Sequence, residues 1–145
     1  MPILPLALII AGHVYVDMCQ AMLPVLLPIL KETYRLNYTQ VGIAAATSAF
    51  TSSIIQPIFG LLSDRWRTEW FVPVGVTWCG LVMGSLGFAP TFGALLAMLT
   101  LAGIGTAAFH PKASIGVTLH AGSHRAFAMA CFTAAGNAGW AIGPT

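Results

Sequence analysis

Long stretches without a charge constrain this chain more than any other feature. Residues 39 to 62 contain no Asp, Glu, Lys or Arg, and residues 2 to 30 contain only Asp17. A membrane-crossing helix needs about 20 predominantly apolar residues. On that measure the sequence predicts complete spans over about 2–30, 39–62, 71–89 and 92–119, and a fifth apolar run over 126–145. The expectation is an all-α membrane protein with one incomplete helical domain over residues 1–145. The first run is too long for a signal peptide and lacks both a basic leading segment and a small-residue cleavage site before a soluble chain, so it is expected to stay in the protein. The segments Lys31 to Tyr38, Ser63 to Trp70 and His120 to Arg125 read as polar loops, and Pro90-Thr91 as a short turn.

Composition closes off the alternatives. Charged residues make up 7% of the chain, against about 25% in a soluble domain. With 57% hydrophobic residues and a mean hydropathy of +0.83, the polar surface of a water-soluble fold is missing. A net charge of +2 offers no basic patch, so nucleic acid is excluded as a partner and the lipid bilayer takes its place. Cys19, Cys79 and Cys131 are odd in number and embedded in apolar runs, which suits buried thiols rather than disulfides or zinc ligands. No nucleophile elbow, phosphate loop or His-Glu-x-x-His is present, and neither an enzyme nor a cofactor is expected. Arg65, Arg67, Lys112 and Arg125 fall on one side of the membrane and Lys31 and Arg35 on the other, a bias that places the N-terminus in the cytoplasm of a multi-pass inner-membrane protein.

A carboxylate inside a membrane helix costs about 2.5–3.5 kcal/mol on insertion scales, so Asp17 is expected to face protein or water. His13, Asp17, Gln20 and Pro24 share one helix face. The second run repeats a polar stripe with Ser48, Ser52 and Gln56, and the fourth with Thr106, His110 and Ser114. Three such stripes predict a shared aqueous cavity. For the hydroxyls the competing reading is a bond to their own helix carbonyls. His13 and Asp17, one turn apart, form a proton-handling pair, with His110 as a third candidate. A metal is not expected, because no further ligand has suitable spacing. Pro111 after His110 should kink the fourth helix. Lys112 either snorkels to the headgroups or attracts an anionic substrate, and His120 and His124 read as solvated loop residues. Gly80 and Gly84, Gly139 and Gly143, and Gly103 with Gly105 have the small-residue spacings that let helices approach closely.

Gly60-Leu61-Leu62-Ser63-Asp64-Arg65 resembles the G-x-L-x-D-R signature of the major facilitator superfamily. That resemblance implies a conformational latch of Gly60, Asp64 and Arg65, with the acid at the start of the next helix. The sequence departs from the pattern at Arg67 and at Thr68-Glu69. The set His13-x-x-x-Asp17, Ser52 to Pro57, Gly103-x-Gly105, Phe109 to Ser114 and Gly136-Asn137-x-Gly139-x-x-x-Gly143-Pro144 resembles the fosmidomycin-resistance branch. Lys112 stands where that branch usually has an acid, and Leu99 where many proton-coupled relatives have Arg. The resemblance implies Asn137 as a further cavity residue and a helix-five packing motif of Gly139, Gly143 and Pro144 that favours export.

The same resemblance implies a proton-coupled exporter of a small drug-like or anionic compound, phosphonate antibiotics included. Members of the family have twelve helices in two halves with the substrate between them, so the partner of this chain would be the missing C-terminal half, and these residues alone are expected not to transport. The alternative is a truncated membrane fragment that only packs against partner helices.

Overall fold

The computed structural model describes residues 3–65 and 69–145, all-helical apart from turns. Five helices follow one another: α1 (Ile3–Thr33), α2 (Tyr38–Arg65), α3 (Phe71–Gly84), α4 (Phe92–His120) and α5 (Arg125–Ile142), with short 3-10 turns at Leu86–Phe88 and Gly122–His124. The predicted start of the first span at residue 2 and the departures at Arg67 and Thr68 lie outside the described residues.

Local chemistry sets the helix ends. At the end of α1 the N–H of Leu36 donates to Lys31 (2.8 Å) and that of Arg35 to Glu32 (3.2 Å). This is a Schellman closure, with Arg35 rather than glycine in the left-handed conformation at φ 52°. Leu36 folds back into the core beside Leu30. Asn37 and Gln40 then cap α2 reciprocally, each side-chain oxygen accepting the other's backbone N–H at 2.9 Å. Thr91 caps α4 by accepting from Ala94 (3.1 Å). The Tyr34 hydroxyl donates to the Ala89 carbonyl (2.7 Å), tying the α1–α2 loop to the α3–α4 turn.

Several boundaries differ from the sequence reading: α1 continues through Lys31 to Thr33 and α5 stops at Ile142, and three others bear on the site. Helix α3 ends at Gly84, not residue 89. Ser85 donates its hydroxyl to Val82 (2.9 Å) and the chain tightens into the 3-10 turn. Its 14 residues rise only about 21 Å, short of a hydrocarbon core of about 30 Å. The helices long and apolar enough to span are therefore three among the described residues, α1, α2 and α4, and not the expected four. Second, Ser63, Asp64 and Arg65 form the last turn of α2 rather than a loop. Third, His120 closes α4, its Nδ1 donating to the Gly116 carbonyl (2.7 Å). Helix α4 itself runs unbroken through Pro111.

The helices pack as two groups, α1 with α5, and α4 with α2 and α3 on its flanks. Glycines set both. A Cβ on Gly139 would strike the backbone of α1 at Val14 and Met18, and one on Gly143 would strike Met18 and Ala21. In α4, Gly103 faces Thr51 and Ser52 of α2, while Gly105 faces Trp78 and Cys79 of α3. Gly80 sits under the Tyr15 hydroxyl, but Gly84 meets open space, so the predicted pair packs through one member only. Between the groups lies an apolar core around Val16, Leu95, Leu99, Phe109 and Val117, all 0% exposed. Ile43, Phe50, Ile54, Ile58 and Leu61 of α2 point outward, as a lipid-facing surface requires.

Candidate functional site: a buried carboxylate between two histidines

Asp17 is 8% exposed and sits at the junction of the two groups. Its Oδ2 lies 3.3 Å from His13 Nε2, one turn earlier on α1, and its Oδ1 lies 3.4 Å from His110 Nε2 on α4. The expected proton-handling candidates, His13, Asp17 and His110, thus form one cluster, with a donor atom of each within 4.8 Å of the others. The third partner that spacing along α1 does not supply comes from α4, which corrects the sequence reading on that point. Three donors remain one short of the four protein ligands that close a structural zinc site.

The His13 ring is held on its far side. Its Nδ1 is 2.7 Å from the carbonyl oxygen of Phe132 on α5. A carbonyl only accepts, so Nδ1 carries the hydrogen. The Phe132 ring stacks on the imidazole at 3.9 Å between centroids, and His110 meets it edge-on at 5.1 Å. Phe109 packs against both histidines. Gly136, one turn after Phe132, leaves the room: a Cβ there would stand 2.6 Å from Asp17 Oδ2 and 2.7 Å from His13 Nε2.

Below this cluster the Gln20 amide joins three helices. Its Nε2 donates to Thr106 Oγ1 on α4 (2.6 Å), and its Oε1 accepts from Ser48 Oγ on α2 (3.3 Å). Thr106 also donates to Ala102 in its own helix (3.3 Å) and touches the Cys79 thiol (3.7 Å). Ser48 and Thr106 therefore reach across the bundle, whereas Ser52 and Thr47 bond their own helix, at Ala49 (3.0 Å) and Ile43 (2.7 Å).

Asp17, Gln20, Pro24, Ser48, Ser52, Gln56, Thr106 and His110 line one cavity of about 420 Å³, the shared space that the three stripes predict. Trp140 of α5 joins them. A second cavity of about 410 Å³ adjoins it through Ser53, Gln56 and His110, and holds Ser114, Gly60 and Pro111. His110 stands between the two. Asn137 is exposed on α5 and is not among the residues lining these two cavities. Nor is Lys112: it lines a separate, mostly apolar groove of about 630 Å³ between α1, α3 and α4, with Glu69 and His120. This larger groove thus lies away from the titratable cluster, and no Lys or Arg among the described residues lines the polar space.

The latch residues depart from expectation. Asp64 lies in the last turn of α2, at the negative end of that helix dipole, not at the start of the next helix. Asp64 and Arg65 are exposed, and Gly60 faces Pro111 of α4. Pro144 is exposed just past the end of α5. Leu99, where the resemblance expects Arg in proton-coupled relatives, is fully buried in the apolar core.

Sequence reasoning missed the contribution of α5. Phe132 acts through a backbone carbonyl, which carries no sequence signal. Gly136 does carry one, its four-residue spacing from Phe132, readable once α5 is known to lie on α1.

Comparison with known proteins agrees with this architecture. A family model described as Major Facilitator Superfamily matches residues 9–145. The chain is 37% identical over 139 residues to "Uncharacterized MFS-type transporter YfnC" of Bacillus subtilis (strain 168), covering 94% of this chain and 34% of that protein. It is 33% identical over 135 residues to "Fosmidomycin resistance protein" of Escherichia coli (strain K12), covering 92% of this chain and 33% of that protein. A third relative, "Uncharacterized MFS-type transporter YwoD" of Bacillus subtilis (strain 168), is 24% identical over 140 residues, covering 97% and 31%. The chain spans about a third of the length of these curated relatives. No solved structure matches. A family match over nearly the whole chain, together with relatives of the same kind, places it plainly: this multi-pass membrane chain belongs to the major facilitator superfamily.

Proposed function

We propose that this chain forms the N-terminal part of a proton-coupled exporter, with Asp17 as the proton carrier and His13 and His110 as its partners. The observation that carries the reading is the placement of Asp17: a carboxylate buried in a membrane bundle, held between two imidazoles on the wall of a cavity. Groups of this kind inside membrane helices mark ion and proton routes. Gln20, Ser48, Ser52, Gln56 and Thr106 supply donors and acceptors for a small cargo, and Trp140 supplies an apolar wall.

The cargo by analogy is a small drug-like or anionic compound, since one relative is named for fosmidomycin resistance. With no Lys or Arg among the described residues that line this cavity, an anion would draw its countercharge on this wall from a protonated histidine, so that cargo and proton meet at one site. The family's twelve-helix plan makes a C-terminal half the other wall of that site. The Lys/Arg bias supports a cytoplasmic N-terminus in the cell's inner membrane. The test is Asp17→Asn in a protein of its relatives' length. It should insert normally, yet abolish proton flux coupled to fosmidomycin in vesicles and fosmidomycin resistance in cells. Unchanged resistance with unchanged coupling defeats the reading.

The second reading, a non-transporting fragment that packs with partner helices, draws on the glycine-lined α1–α5 contact. The two separate by reading frame: a continuation through about 250 further residues of helical pattern favours transport.

A further inference from the structure

We infer that Gly136 of α5 is a positioning residue for the proton site: it opens the gap through which His13 reaches the Phe132 carbonyl, and so fixes which ring nitrogen faces Asp17. The inference rests on the proposed role of Asp17. With Nδ1–H committed to Phe132 (2.7 Å), a neutral His13 can present only the lone pair of Nε2 to Asp17 Oδ2, 3.3 Å away. Two acceptors then face each other in a site 8% exposed. One added proton turns this opposition into a hydrogen bond, whichever of the two atoms it sits closer to. The tautomer thereby makes the site demand a proton.

His110 behaves differently. Among the described residues its Nδ1 makes no such bond, so a neutral His110 is free to offer Nε2–H to Asp17 Oδ1 at 3.4 Å. Of the two histidines only His13 is locked, and the lock belongs to α5. The Cys79 thiol on α3 also lies within electrostatic reach of Asp17. From α2 the cavity wall presents Ser48, Ser52 and Gln56, which carry no charge.

The glycines of α5 do different work. A Cβ on Gly139 would meet the backbone of α1, at Val14 and Met18, and would part the helices. The three atoms nearest a Cβ on Gly136 all belong to side chains, Asp17 Oδ2 and the Cε1 and Nε2 of His13. Those can swing away, so Gly136→Ala leaves the helices in place and breaks the His13–Phe132 bond. Released, His13 can take the Nε2–H form and donate to Asp17 without an extra proton.

The test is ¹⁵N spectroscopy of the histidine-labelled protein in nanodiscs from pH 5 to 9, with His13 assigned by its disappearance in His13→Gln. The wild type should show His13 as Nδ1–H when neutral. In Gly136→Ala the Nε2–H form should appear. Gly84→Ala, in open space, should leave the tautomer unchanged. A wild-type His13 in the Nε2–H form overturns the inference even if Gly136→Ala does not fold, as does a folded Gly136→Ala with unaltered tautomer. Proton-coupled transport that survives Asp17→Asn would defeat the proposed function while leaving the tautomer result standing, so the two failures can be told apart.

Discussion

Thr106→Val keeps the outline of the side chain and deletes its hydroxyl, which isolates the polar clasp between α1, α2 and α4. That hydroxyl accepts from Gln20 at 2.6 Å, donates to Ala102 at 3.3 Å and touches the Cys79 thiol at 3.7 Å. The bond within its own helix contributes little. The interhelical bond carries the effect, and such bonds in membrane proteins average about 0.6 and reach about 1.7 kcal/mol. Gln20 lines the cavity, so its freed amide can turn to water and avoids the full penalty of about 1–3 kcal/mol for a stranded buried group. The expected loss is about 1 kcal/mol, between those limits. Reversible unfolding in mixed micelles with rising dodecyl sulfate, followed by tryptophan fluorescence, measures it. Because one amide bridges both hydroxyls, Ser48→Ala combined with Thr106→Val should cost less than the sum of the two, by more than about 0.5 kcal/mol. A Thr106→Val protein within about 0.3 kcal/mol of wild type, or an additive pair, would show that Gln20 does not join the helices.

The packing and the caps set two further outcomes. Gly139→Ala forces a methyl into the α1 backbone and should destabilise by about 1–3 kcal/mol, while Gly84→Ala should be neutral or stabilising by up to about 1 kcal/mol; the same unfolding assay ranks them, and equal effects would discount the glycine contact. Asn37→Ala removes one arm of the reciprocal cap and leaves Gln40 alone on the other, at a cost of about 1 kcal/mol, seen as faster hydrogen exchange confined to the first turn of α2.

Much of the site was legible because the bilayer suppresses charge, so each exception carries information. Asp17, the one charge between residues 2 and 30, had to be sheltered, and spacings of three and four placed Gln20 and His13 beside it and Thr106 beside His110. The position of Lys112 was readable as well: two residues from His110, it lies on the other side of α4. Helix ends were less legible. Apolar residues continue from Met83 to Ala89, but backbone conformation does not: Ser85 closes α3 and the chain tightens into a 3-10 turn. Asp64 looked like loop because polar residues mark loops, yet the last turn of a long helix emerging from lipid is polar too. What α5 adds to the cluster was out of reach, since the Phe132 carbonyl carries no side-chain signal and the room at Gly136 has meaning only once α5 is set against α1.

The two packed groups have different glues, and that difference sets where the bundle yields. Within each group glycine-lined faces let backbones touch, and parting them opens voids that lipid or water fills poorly. Across the junction stand Asp17 with His110, and Gln20 with Thr106 and Ser48. Polar pairs of this kind exchange for water at small net cost. A wedge of solvent entering beside Asp17 would therefore loosen these polar pairs first, while the apolar core around Val16, Leu99 and Phe109 still holds α1 against α4.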